Sequence, residues 1–107
     1  MLLSFIMAMK KKWADTSTLS QAFLYLDNHE QVYHFLHGLL TSEEMNDLQQ
    51  RFDIAARLIF GHSYVSIQQE LGVSSTTVAR VAKSIKMNPG AYESVIKPMY
   101  NITEGGK

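Results

Sequence analysis

A chain of 107 residues has the length of one domain, and 46% of it is apolar, enough for a modest core. It has no cysteine, which excludes a disulfide framework, a thiolate nucleophile and a Cys-based zinc site, and fits a cytoplasmic protein. Ten Lys or Arg balance ten Asp or Glu. The neutral total excludes a strongly basic protein, but not one with a basic face.

The chain opens MLLSFIMAMKKKW. Its apolar run is far shorter than the roughly 20 residues of a membrane span. Lys10, Lys11 and Lys12 follow that run, whereas a secretory signal carries its cations before it. Residues 1–16 therefore read as a flexible or apolar extension, with Met7 and Met9 as alternative starts. A first helix is expected over about 17–27, with Leu19, Ala22, Phe23 and Leu26 as its stripe, broken by Asn28-His29. A second follows over about 29–38, with Val32, Phe35, Leu36 and Leu39 facing inward.

Thr41 and Glu44 have the spacing of a capping box and open a long helix over about 42–60. Met45, Leu48, Phe52, Ala55 and Ile59 form one stripe, and Ile54 and Leu58 form a second. A helix apolar on two sides in so small a domain predicts a subunit interface. Gly61 ends it.

Residues 64–86, YVSIQQELGVSSTTVARVAKSIK, have the pattern of a helix-turn-helix. Ile67 and Leu71 lie one turn apart on the first helix. Gly72 stands where a left-handed cap favours a residue without a Cβ. Val73 fills the corner, and Ser74 is a natural N-cap. On the second helix, Val78, Val81, Ala82 and Ile85 make the buried stripe. Its other face carries Ser75, Thr76, Ala79, Arg80, Lys83 and Lys86. Small polar residues lead where a backbone meets base edges, and cations follow where phosphates pass. One position departs from the pattern: Gln68 stands at the close approach of the two helices, where a small residue is common. Between Glu70 and Glu93 there is no acidic residue. The chain thus has a basic face suited to double-stranded DNA.

Asn88-Pro89 is read as the start of a sixth helix, Asn as N-cap and Pro at the first position. Pro98 is expected to stop it, leaving 99–107 as a disordered tail. The histidines offer no metal motif: His34 and His37 are one turn apart, but no third ligand has matching spacing. No nucleophile elbow or phosphate-cradling glycine loop occurs. Glu43 and Glu44 are explained as helix-start acids. No enzyme and no metal are expected.

The segment from Leu39 to Ile85 resembles the Trp repressor family. The resemblance is carried by Leu39-Leu40-Thr41, Gln50-Arg51, Gly61, Leu71-Gly72 and Thr77-Val78-Ala79-Arg80. The chain looks still closer to the YerC/YecD group through AFLYLDNHEQVYHFLHGLLT, the Gln50-Arg51 pair, Gly61-His62-Ser63-Tyr64 and Ser74-Ser75-Thr76-Thr77-Val78-Ala79-Arg80-Val81. The match covers about residues 17–98. The resemblance implies an all-α, six-helix, Trp repressor-like fold assembled as an intertwined homodimer with two helix-turn-helix heads. It also implies an effector site matched by Thr41, Arg51, Arg80 and Ser84. Val81 stands where that site has a glycine, so L-tryptophan is not expected to fit, though a smaller carboxylate effector remains open. Arg51 has a second reading, as the partner of Asp47 or of a carboxylate on the other subunit.

The expected function is a sequence-specific, DNA-binding transcriptional regulator, a repressor acting as a homodimer. Ser75, Thr76 and Ala79 are read as base-edge contacts, and Arg80, Lys83 and Lys86 as phosphate contacts. The rival class is a helical dimer whose head binds protein instead of DNA.

Overall fold

The structure is a computed structural model and describes residues 2–4, 6–7 and 17–105, with side chains as far as Tyr100. Most of the N-terminal extension, residues 1, 5 and 8–16, lies outside the described residues. Leu2, Leu3, Ile6 and Met7 are helical and exposed. Beyond them six helices follow in order: α1 Thr18–Phe23, α2 His29–Leu39, α3 Ser42–Ile59, α4 Tyr64–Leu71, α5 Ser75–Met87 and α6 Glu93–Gly105. There is no strand among the described residues. The chain divides into two compact units, the first ending at Ser42 and the second beginning at Glu43.

In the first unit, α1 is shorter than its apolar pattern suggests and gives way to a turn at Leu24 and Tyr25. Asn28, in extended conformation, caps α2 by accepting from Gln31 N–H, while Gln31 Oε1 accepts from Asp27 N–H at 2.7 Å. These reciprocal bonds satisfy donors that a helix start leaves free. Phe23 meets Phe35 edge to face with ring centroids 5.3 Å apart. Yet neither α1 nor α2 contains a buried residue. Leu19, Phe23, Leu24, Tyr25, Tyr33 and Leu39 are all exposed in the single chain.

The second unit holds the core. Ile54, Ala55 and Ala56 of α3, Ile67 of α4, Val78 and Val81 of α5, and Ile96 of α6 form one buried cluster. Phe52, Leu58, Ile59, Leu71, Val73, Ile85 and Tyr92 pack around it. The two predicted stripes of α3 merge here, because Ile54 and Ala55 are adjacent and both fully buried. Gly61 closes α3 at φ 88°, and His62 N–H reaches back to Arg57 C=O at 2.9 Å. That six-to-one bond behind a left-handed residue is a Schellman closure.

The end of the chain corrects two sequence expectations. Asn88 does not open the last helix. It closes α5, its Nδ2 donating to Ser84 C=O at 2.8 Å. The turn belongs to Pro89 and Gly90, with Gly90 at φ 81°, and α6 starts only at Glu93. Nor does Pro98 stop α6, which runs through it to Gly105. A proline removes one N–H from the ladder, and the helix continues without that bond. The segment 99–105, read as disordered, is therefore helical in backbone.

Candidate nucleic-acid interface

The reading head is built from local signals. Ser63 caps α4 by accepting from Ser66 N–H at 3.1 Å. Ile67 is fully buried and fixes the inner face of α4. Gly72 takes the left-handed conformation, φ 68° and ψ 36°, and its N–H bonds to Gln68 C=O at 2.9 Å. Few residues with a Cβ adopt that conformation cheaply. Val73 is half-buried at the corner, as expected. Ser74 then caps α5, its Oγ accepting from Thr77 N–H at 3.2 Å and sharing a 2.9 Å bond with Thr77 Oγ1. Gln68 does not prevent the approach: it is half-buried and α4 and α5 pack together.

Val78 and Val81 hold α5 in the core. Every residue read as a DNA contact lies on the exposed side: Ser75, Thr76, Ala79, Arg80, Lys83 and Lys86. Hydroxyls occupy the first turn, where the helix dipole is positive. Lys86 is in the last turn, where a cation is favoured. No asparagine, glutamine or arginine sits in that first turn, so the side chains best suited to bidentate base readout are missing there.

A contact that the sequence reading missed ties α4 to α3. Arg57 Nη2 donates to Glu70 Oε2 at 3.2 Å, and Nε lies 3.1 Å from Oε1 without hydrogen-bond alignment. Arg57 Nη1 also donates to the Asp53 carbonyl at 3.0 Å. The hydrogen bond from Arg57 holds the Glu70 carboxyl below its usual range, and the same bond raises the guanidinium further. His62 Nδ1 stands 3.9 Å from the same carboxylate. Residues 13 apart in sequence carry no spacing signal; only the crossing of two helices joins them.

The residues matched to an effector site are brought together in part. Arg51, Arg80, Val81 and Ser84 line a cleft of about 190 Å³. A neighbouring hollow of about 180 Å³ adds Asp47, Gln50 and Thr77. Arg51 and Asp47 share that wall but form no ion pair among the described residues. Val81 is only 5% exposed, its side chain packed into the core cluster. Ser84 Oγ is bonded to the Tyr92 hydroxyl at 3.0 Å, so it is already engaged. Thr41 belongs to the first unit and immediately precedes α3. No group of three His, Cys, Asp or Glu is placed to hold a metal among the described residues. Among them, too, no helix is long and apolar enough to cross a membrane.

An all-helical unit with a capped, glycine-closed helix-turn-helix defines the class, and the comparisons name it. Residues 14–100 match the Trp repressor protein family, and the chain belongs to that family. It is 31% identical over 87 residues to the uncharacterized protein YerC of Bacillus subtilis strain 168, covering 81% of this chain and 84% of YerC. Among solved structures it resembles a candidate Trp repressor from Staphylococcus aureus at 34% identity and a TM-score of 0.70, covering 78% of this chain and 84% of that one. It also resembles a TrpR-like protein from Eubacterium eligens ATCC 27750 at 30% identity and a TM-score of 0.70, over 78% and 86% of the two chains. The expected relationship to the YerC group and the Trp repressor-like fold are both borne out.

Proposed function

We propose that this protein is a homodimeric, sequence-specific DNA-binding transcriptional regulator that acts as a repressor. The observation that carries the reading is the division of α5: Val78 and Val81 are buried, and Ser75, Thr76, Ala79, Arg80, Lys83 and Lys86 are exposed together. Family membership supports it.

In this reading α5 enters the major groove. Ser75 and Thr76 meet base edges, and Ala79 gives the backbone close approach. Arg80, Lys83 and Lys86 bind phosphates. Serine and threonine discriminate bases weakly, so water and DNA shape carry part of the specificity. The Trp repressor itself is the reference case for water-mediated contacts.

The dimer reading rests on the first unit. Two helices with apolar faces and no buried residue leave hydrophobic side chains uncovered in the single chain, the kind of surface that marks an interaction site. A second copy covers those faces, as the symmetry of most small oligomers favours.

The effector reading follows from Val81. Its buried isopropyl group takes space beside Arg51 and Arg80. The cleft that remains suits at most a small carboxylate between two guanidinium groups, and the head is held without L-tryptophan.

Selection of bound fragments from a random duplex pool tests the function. Recovery of a common half-site, repeated with two-fold symmetry, is expected. Retention of no DNA at low salt would contradict it and favour a protein-binding head.

A further inference from the structure

The two hollows at Arg51 and Arg80 belong to the reading already given. A hollow of about 430 Å³ beside Arg57 has that guanidinium and the Glu70 carboxylate paired with each other. A further groove lies behind α5 and is different in kind.

This groove of about 320 Å³ is floored by Leu58 and Ile59 of α3 and by Ala82 and Ile85 of α5. Each of the four is half-buried, so the floor is apolar yet reachable. Its rim carries Tyr64, Lys86, Lys97 and Glu93. Neither lysine forms an ion pair among the described residues. Glu93 stands in the first turn of α6, where its charge complements the helix dipole. Two ammonium groups and one carboxylate therefore rim an apolar floor, an excess of one positive charge, and neither lysine is tied into an ion pair among the described residues.

We infer that this groove binds a small organic carboxylate with an apolar body, its carboxylate held between Lys86 and Lys97. The volume lies at the lower end of small-ligand sites, and an apolar lining with a few convergent polar groups is their usual composition. The body lies on Ile59, Ala82 and Ile85, and the Tyr64 ring closes one side. Ala82 and Ile85 lie on the back of α5, the helix proposed to read DNA, and Lys86 lies at the edge shared with its exposed face, so a bound carboxylate competes with phosphate for Lys86. The groove thus forms an effector site separate from the cleft at Arg51 and Arg80. The inference goes beyond the proposed function, and its test uses no DNA, so either can fail alone.

The test is a nuclear magnetic resonance titration of the full chain with 3-phenylpropanoate at low ionic strength, beside its neutral amide. Saturable amide shifts centred on Ile59, Ala82 and Ile85 are expected for the acid. Lys97→Gln should weaken binding about fivefold, the scale of one exposed charge pair. The neutral amide should bind more weakly than that variant binds the acid. Ala82→Leu, which fills the floor, should abolish the shifts; should it fail to fold, the Lys97→Gln and amide comparisons decide the question. Equal binding of acid and amide, shifts centred on Arg51 and Arg80, or no saturable shift would each overturn the inference.

Discussion

Arg57 on α3 grips Glu70 on α4, with Nη2 to Oε2 at 3.2 Å and Nε to Oε1 at 3.1 Å. The pair sets the first helix of the reading head against the longest helix of the chain. Its two charges differ in exposure, the Glu70 side chain at 46% and that of Arg57 at 26%, so solvent and salt weaken it.

A pH dependence follows from this pair. The Glu70 carboxyl is lowered in the folded protein, mainly by the hydrogen bond from Arg57. A lowered carboxyl stabilises the fold above its unfolded pKa of about 4.3, and that contribution is lost as pH falls through the folded value. Glu70→Gln should therefore flatten the acid side of the stability profile and leave its slope from pH 6 to 8 unchanged. Urea unfolding from below that unfolded pKa up to pH 8 measures it, and an acid limb identical to wild type would remove the pair from the account.

Gly72→Ala should destabilise the protein by about 1 kcal/mol, the scale of forcing an L side chain into the left-handed region. A Cβ at that position meets nothing within 4 Å, so the cost is that of the backbone alone. Denaturant midpoints at unchanged m-value measure it. A neutral result would mean that the turn relaxes.

Val81→Gly should bind L-tryptophan, and the unmodified chain should bind it far more weakly. Crowding of a packed interior costs about 1–3 kcal/mol, or roughly ten- to a hundredfold in affinity. Calorimetry with L-tryptophan on both proteins, each first shown to be folded, tests the point. Tight binding by the unmodified chain would show that Val81 does not close the site.

Sedimentation at micromolar concentration should give twice the chain mass. Phe52→Asp should unfold the protein, because Phe52 packs against the core cluster and a charge there has no partner. A well-folded monomer would leave the exposed apolar residues of α1 and α2 unexplained.

The parts legible in the sequence were those set by near neighbours. Gly72, Ser74 and the Val78–Val81 stripe each act within one or two turns, and each fell where spacing put it. Asn88 was misread because an asparagine before a proline suits a helix start as well as a helix end. The bond from its side chain to Ser84 C=O shows which end won. Pro98 was misread because a single lost backbone bond does not end a helix by itself. The Arg57–Glu70 and Ser84–Tyr92 contacts depend on how helices cross, which no local spacing encodes.

The central claim is that the exposed face of α5 binds DNA phosphates. It is tested most directly by the salt dependence of duplex binding for wild type and for Lys83→Ala with Lys86→Ala. The plot of log affinity against log salt should lose about one unit of slope per phosphate contact removed, with weaker binding to every sequence. An unchanged slope, or an altered sequence preference alone, would contradict the assignment.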